Sequence, residues 1–240
     1  MEEIIRRLDE LMGREEYDAA RDLLTGAQER ARRSGDVSGE LSLCSELLGF
    51  YRMTGRREAL DPVLARTMEL LEQVHISPVS RGTILINAAT ALAAFGRGRE
   101  ALPLYTQAER CYMAVLPPRD RAFAALYNNV AGCLEGMGDP VGAEREYKRA
   151  LNILENYPHE PDQTVSYVNL AQLYAARDPS DPRVGENLDR AMELFNDPEM
   201  LWDGYYAHTT RKCAPAFEAL GRPDEAAELR ERAEIVYEGA

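Results

Sequence analysis

A pattern of apolar and small residues recurs along the whole chain at intervals of about 40 residues, and this recurrence limits the possible folds more than any other feature. Around Tyr127, apolar residues spaced three and four apart lead to Gly138, and a second run of the same spacing follows. This spacing is typical of amphipathic helices. A glycine just after such a run favours a tight turn. The sequence therefore predicts a repeated helical hairpin.

Equivalent positions in the three clearest copies hold the same kinds of side chain. Large apolar or aromatic residues are interleaved with alanines in both runs of each copy. Small residues at matching places predict that the two helices of a hairpin lie close together. The equivalent residues are Leu85, Ala88, Ala89, Leu92, Ala101, Tyr105 and Ala108; Tyr127, Val130, Ala131, Leu134, Ala143, Tyr147 and Ala150; and Tyr167, Leu170, Ala171, Tyr174, Val184, Leu188 and Ala191.

Weaker copies extend the period to both ends of the chain. Six units begin near residues 1, 41, 82, 124, 164 and 207, giving the ranges 1–40, 41–81, 82–123, 124–163, 164–206 and 207–240. A steady period of this length is typical of a helical solenoid. The sequence predicts an all-α solenoid of about twelve helices without a sheet, with a degenerate first unit and a C-terminal cap.

Prolines mark several of the predicted helix starts. A serine or aspartate before a proline is typical of a capped first turn. Pro215, by contrast, falls inside a predicted helix, where it is expected to remove a hydrogen bond and kink the helix. The predicted starts are Ser77-Pro78, Pro117-Pro118, Asp139-Pro140, Pro161, Asp181-Pro182 and Asp197-Pro198.

Charge and hydropathy narrow the classes of partner. Acidic residues outnumber basic ones by 41 to 28, which gives a net charge of −13. Such a surface repels the phosphates of nucleic acids. The chain begins with charged residues, and no apolar run is long enough to cross a bilayer. These observations predict a cytoplasmic protein with neither a nucleic-acid nor a membrane partner.

No residue grouping indicates a cofactor or a catalytic site. Cys44, Cys111, Cys133 and Cys213 are far apart and form no CxxC pair, so we expect reduced thiols. None of the three histidines stands at a metal-ligand spacing from a cysteine. Neither a Ser/His/Asp or Cys/His grouping nor a glycine-rich phosphate loop is visible. The sequence predicts no metal, no cofactor and no enzyme activity.

The repeats resemble the tetratricopeptide repeat (TPR) family, specifically the long-period type found in kinesin light chains. The resemblance covers essentially the whole chain and is strongest from Leu85 to Ala191. It implies a single solenoid domain over residues 1–240, wound as a right-handed superhelix of about six hairpins. It also implies that the first helix of each hairpin lines a concave groove, and that Ala131 faces Ala143 across one hairpin.

One position on the first helices indicates what the groove binds. Asn87, Asn129 and Asn169 share a register on consecutive first helices, and Asn128 lies beside the middle one. The resemblance implies that this position faces the groove, where an amide can pair with an extended peptide backbone. Alternatively, the amide holds adjacent hairpins together. The residues predicted to bind a peptide are Asn87, Asn128, Asn129, Asn169, Thr90, Gln172, Arg52, Arg211 and Lys212.

Two further groups each have two interpretations. His208, Arg211 and Lys212 form a basic cluster that is either a contact for a partner or a solvated face. Three aromatic residues lie at the start of the first helix of the last unit: Trp202, Tyr205 and Tyr206. They either contact a partner or pack on the preceding unit. By the same register, the rest of the groove includes Ile86, Gly132, Glu135 and Val168.

The function predicted from these features is a non-catalytic scaffold that presents a groove to an extended segment of a partner protein. The alternative is a regulatory protein that senses a small peptide and acts on a separate effector. An enzyme with a site built on the solenoid is a third, disfavoured interpretation. The identity of the partner is not encoded in any motif, and a homodimer is left open.

Overall fold

The computed structural model describes residues 2–238 of the chain, and all regular structure in that range is helical. The predicted all-α fold and the number of helices are confirmed. The helices are α1 (Glu2–Gly13), α2 (Tyr17–Ser34), α3 (Val37–Thr54), α4 (Leu60–Gln73), α5 (Pro78–Ala94), α6 (Gly98–Met113), α7 (Arg121–Gly136), α8 (Pro140–Leu154), α9 (Asp162–Arg177), α10 (Pro182–Phe195), α11 (Gly204–Ala219) and α12 (Pro223–Glu238), with a short 3₁₀ turn at Arg57–Ala59 before α4.

The helices fall into two compact units, Met1–Pro117 and Pro118–Ala240. Unit 1 contains α1 to α6 and unit 2 contains α7 to α12. In each unit, the two helices of every hairpin contact each other, and the short turns between them make them antiparallel neighbours. That the two units act as one solenoid domain stays a prediction. None of the helices in residues 2–238 is long and apolar enough to cross a membrane.

Glycines in the left-handed conformation form most of the turns inside the hairpins. Gly96 between α5 and α6 has φ 76°, and Gly138 between α7 and α8 has φ 80°. Only glycine adopts this conformation without a steric penalty. Asp178 occupies the equivalent place after α9 with an extended backbone, and the turn there is longer. The predicted role of the glycines is confirmed.

Capping residues mark the starts of several helices, and the first helices α3, α5, α7, α9 and α11 begin two to four residues before the unit starts predicted from the apolar pattern. Ser77 caps α5, and Asp139 and Asp181 cap α8 and α10, each with a proline in the first turn as predicted. Pro161 directly precedes α9.

Two of the predicted helix starts are wrong. Asp197-Pro198 does not start α11, which begins at Gly204 with Asp203 as its cap. Asp197 instead accepts a hydrogen bond from the Glu199 amide in a turn. Pro117-Pro118 does not start α7, which Asp120 caps. Pro215 lies inside α11, as predicted, and the helix continues through it to Ala219; the kink expected there stays a prediction.

Alanines lie where the paired helices approach most closely. Ala131 and Ala143 are both fully buried in the core of unit 2, as the register predicts. In unit 1, Ala89 and Ala101 are equally buried. The ring of a tyrosine, Tyr105 in unit 1 and Tyr147 in unit 2, is buried beside these contacts. Small side chains let the helix axes come together, and the aromatic rings fill the space alongside.

Gly82 in α5 allows the closest contact in the third hairpin. A Cβ atom at this position would lie 2.5 Å from Cε1 and 2.8 Å from Cδ1 of Tyr112. Tyr112, on α6, is buried and its hydroxyl lies 3.1 Å from Oγ1 of Thr83. The ring therefore occupies the volume that a larger residue at position 82 would need.

We predict that Gly82→Ala lowers the free energy of unfolding by about 1–3 kcal/mol, because the Tyr112 ring must shift to admit the methyl group. Gly49→Ala is the matched control in the same unit, since a Cβ there meets nothing within 4 Å. That control should gain up to about 1 kcal/mol from helix propensity. Urea unfolding of both variants measures the difference, and equal stabilities would contradict the packing described.

Candidate functional site

The first helices of neighbouring hairpins lie side by side within each unit. In unit 1, α3 contacts α5, and in unit 2, α9 contacts α11. We call the side of these helices that carries the predicted peptide contacts the first-helix face. In unit 1 it holds Arg52, Asn87 and Thr90; in unit 2 it holds Asn128, Asn129, Asn169, Gln172, Arg211 and Lys212.

Asn87 reaches from α5 to the preceding first helix. Its Nδ2 donates a hydrogen bond of 2.9 Å to Oγ of Ser45 on α3. Ser45 is buried, so the bond joins two hairpins at the floor of the first-helix face. This contact is the structural role that the sequence left as an alternative.

Asn128 forms the corresponding link in unit 2, but toward the following helix. Its Nδ2 donates to Oγ of Ser166 on α9 at 2.9 Å, and the Ser166 hydroxyl lies 3.0 Å from Oδ1 of Asn128. Ser166 is fully buried. Both polar ends of the amide thus face a hydroxyl that has lost its access to water, which makes the link costly to break.

Asn129, the adjacent residue, satisfies its amide locally. Its Nδ2 donates to the carbonyl oxygen of Ala125, one turn earlier in the same helix, at 2.9 Å. No second hairpin depends on this bond. The two neighbouring asparagines therefore have different roles, although the sequence gives them the same chemistry.

Asn169 and Gln172 are the amides on α9 that the protein does not use. They stand three residues apart, on one side of the helix. Asn169 is half-buried and Gln172 is exposed. Within residues 2–238, neither side chain makes a hydrogen bond. Each therefore keeps a donor and an acceptor for a ligand.

The remaining predicted contacts are mixed. Thr90 is half-buried, and its Oγ1 lies 3.0 Å from the hydroxyl of Tyr105. Arg52, Arg211 and Lys212 are exposed and form no ion pair with any residue in the range 2–238. Arg211 also borders a cleft of about 420 Å³ between α11 and α12 that includes Pro215.

Two of the expected groove residues are corrected by their burial. Ile86 and Val168 are buried, so their side chains pack in the protein and do not line a surface. The first-helix face is accordingly less apolar than the sequence suggested. Gly132 and Glu135 remain accessible, Glu135 only in part.

Glu135 is a half-buried carboxylate at the end of α7. Burial raises the pKa of its carboxyl, while the hydrogen bond from the Tyr147 hydroxyl at 3.2 Å acts in the opposite direction. No cation of the described residues pairs with it. In unit 1, burial and then the charge of Asp9 raise the pKa of Glu46 in the same way. Residue spacing alone shows the position of Glu135 but not this partial loss of water.

A second cleft of about 710 Å³ lies along α8 and contains none of the predicted contacts. Its charged residues are already paired. Lys148 contacts Glu144 at 2.7 Å, and Arg145 and Arg149 both contact the buried Glu146. Because these cations already contact carboxylates of the protein, they are less available to a charged ligand in this cleft.

The cysteines and other potential metal ligands form no site among residues 2–238. Within that range no group of three His, Cys, Asp or Glu side chains could hold a metal ion. All four cysteines are thiols outside any disulfide, and three of them are buried. Burial raises the pKa of Cys44 to about 11 and that of Cys213 to about 12. Both thiols therefore stay protonated near neutral pH and are poor nucleophiles.

The sequence predicts that the aromatic residues before and in α11 either contact a partner or pack on the preceding unit, and the structure places them in different environments. Tyr206 is fully buried, with its ring centroid 6.0 Å from that of Phe195 on α10. It packs on the preceding hairpin. Trp202 and Tyr205 are only half-covered, so part of each ring remains open to a partner.

The different contacts of the adjacent asparagines predict different stabilities. Asn128→Ala should lower the free energy of unfolding by about 1–3 kcal/mol, because Ser166 is left buried without its partner. Asn129→Ala should change it by no more than about 0.5 kcal/mol. Chemical denaturation of the two variants provides the comparison. Equal losses would show that the two asparagines do not differ in this way.

The raised pKa of Glu135 predicts a pH-dependent effect of Glu135→Gln. A carboxyl whose folded pKa is raised contributes stability that is full below its unfolded pKa and is lost as pH rises through the folded pKa. Glutamine keeps an acceptor for Tyr147 but no charge. The variant should therefore melt above the parent at pH 7, and the difference should shrink as pH falls toward the ordinary value of 4.5. A difference that is constant with pH would contradict the assignment.

Solved structures of helical repeat proteins are similar to this chain. BtubC (BKLC) from P. vanneervenii is 18% identical, with a TM-score of 0.60 over 90% of this chain and 89% of that one. A kinesin-light-chain-type protein of Podosopora anserina, with nearly identical TPR-like repeats, is 21% identical, with a TM-score of 0.55 over 82% and 94%. A Rap protein complexed with Competence and Sporulation Factor is 15% identical, with a TM-score of 0.62 over 97% and 73%.

No protein-family model and no curated protein sequence matches the chain. The structural similarities, all at low sequence identity, concern the fold. They agree with the all-α repeat described above. The chain has the all-α repeat fold of TPR-like proteins.

Proposed function

We propose that the protein is a non-catalytic scaffold that binds an extended segment of a partner protein on its first-helix face. The observation that carries the proposal is the pair of unused amides, Asn169 and Gln172, on one side of α9. A half-buried amide without a partner has lost part of its hydration and gains most from a ligand that restores a hydrogen bond. An extended peptide offers one N–H and one C=O at each residue, which match the two amides.

The contacts of the other asparagines support this division. Asn87 and Asn128 hold hairpins together and are not available to a ligand unless those links break. Asn129 is bonded within its own helix. The proposed peptide contacts are therefore centred on α9, with Arg211 and Lys212 on α11 as neighbouring exposed cations, rather than spread evenly along the asparagine register. In unit 1 the proposed contacts reduce to Arg52 and Thr90.

The Rap structure favours a second candidate. That protein was solved with Competence and Sporulation Factor bound, and its fold matches nearly the whole of this chain. A scaffold of this kind can also serve as a sensor, with a small diffusible peptide in place of a partner protein. Such a sensor would act on a separate effector. The same first-helix face would bind the ligand in either case.

The test is a comparison of bound molecules after native purification. We expect a protein or a peptide to co-purify with the parent chain and to be identified by mass spectrometry. The double variant Asn169→Ala, Gln172→Ala should retain at least about tenfold less of it, because the backbone groups of the ligand lose their partners. A bound protein favours the scaffold, and a bound short peptide favours the sensor.

Asn152→Ala is the matched control, since Asn152 is an exposed asparagine on α8, a second helix. It should retain the ligand as the parent does. Unfolding curves of all three proteins confirm that the losses are not due to instability. Full retention by the double variant would contradict the proposed binding face.

A further inference from the structure

Three large apolar side chains lie exposed at the corner between α10 and α11. Leu201 is 75% exposed, and Trp202 and Tyr205 are each 46% exposed. We call these three residues the aromatic corner. They belong to the loop before α11 and to its first turn. Adjacent exposed residues of these types are uncommon on a surface that only meets water. Asn169 and Gln172, the proposed peptide contacts, lie on a different helix, α9.

The aromatic corner is held in place by the residues beneath it. The Trp202 ring stacks on that of the buried Tyr206, with centroids 5.2 Å apart and planes at 12°. The Arg232 guanidinium lies 5.4 Å from the centroid of the Trp202 ring. The Tyr205 hydroxyl donates a hydrogen bond to Asp162 at the start of α9. A partner would therefore meet aromatic groups that need little further ordering.

Six carboxylates and two guanidinium groups lie at the corner or next to it in the sequence, and one of the six, Glu228, pairs with Arg232. Asp162 accepts the Tyr205 hydroxyl, and Asp203 caps α11 through the amides of Tyr205 and Tyr206. Neither carboxylate forms an ion pair within residues 2–238, although the charge of Glu160 and then that of Asp162 raise the pKa of the Arg121 guanidinium. Of the other carboxylates, Glu160 pairs with Arg121 at 2.6 Å. Asp197 and Glu199 lie 2.8 and 3.0 Å from the two ring nitrogens of His159. The second guanidinium is that of Arg232.

We propose that the aromatic corner is a second interaction surface, and that it binds a partner segment with an apolar or aromatic side chain next to arginine or lysine. The apolar side chain of the partner covers Leu201 and Trp202. Its cationic groups contact the carboxylates around the corner, which we call the rim. Charge complementarity selects this partner. A second copy of the chain, with a net charge of −13, is opposed by repulsion, and an acidic segment is opposed by the rim itself.

Trp202 is the only tryptophan of the chain, so its fluorescence reports on the corner without a label. The probe is a phage library of random twelve-residue peptides, selected in parallel on the parent protein and on Leu201→Ser. Leu201 is largely exposed, so the substitution leaves the core intact. We expect the peptides retained only by the parent to carry an apolar residue beside arginine or lysine.

A synthetic peptide of that consensus should change the Trp202 emission on binding. Its affinity should fall at least about fivefold in Leu201→Ser and in Glu199→Lys, which reverses one charge of the rim. Glu186→Lys, a charge reversal at an exposed position of α10, is the matched control and should bind as the parent does. Asn169→Ala should also bind normally, which separates this surface from the first-helix face.

Several results would overturn the proposal. The selected peptides could be acidic or uncharged, or the parent could retain no peptide that Leu201→Ser loses. Equal weakening by Glu186→Lys would show only a general charge effect. Sedimentation and Trp202 emission that change with protein concentration, in the absence of peptide, would show that a second copy covers the corner.

Discussion

The contact between the two helices of each hairpin is the constraint on which the rest of the structure depends. Buried alanines such as Ala131 and Ala143 let the paired helices approach closely, and a left-handed glycine such as Gly138 returns the chain at that spacing. A hairpin alone cannot bury its apolar side, so it must stack on a neighbour. The positions of the first helices, and hence of their exposed side chains, follow from that stacking.

The sequence predicts this part of the fold well because the signals are local and repeated. Helical spacing, a glycine turn and matching alanines recur in successive copies, so a weak copy is recognised from its stronger neighbours. Helix starts are harder, because an aspartate can cap a helix or a short turn. Asp197 caps a turn before Pro198, while Asp203, without a proline, caps α11.

The partners of the site residues could not be predicted in the same way. Asn87 bonds backward to Ser45 and Asn128 bonds forward to Ser166, and only the stacking of the helices determines which serine lies within reach. The periodicity cannot distinguish Asn128 from Asn129, which are adjacent. It also cannot show that Asn169 keeps no partner among the described residues. The register groups these residues on the first helices, but which of their amides are bonded and which are not depends on how the helices pack.

Side chains of one chemical type thus have different roles: Asn87 and Asn128 hold hairpins together, and Asn169 and Gln172 remain free for a ligand. Exchange of the side-chain amide protons with solvent, followed by NMR on the unliganded protein, tests this assignment most directly. We expect the amides of Asn87 and Asn128 to exchange at least about tenfold more slowly than those of Asn169 and Gln172. Equal exchange at all four positions, or slower exchange at Asn169, would contradict it.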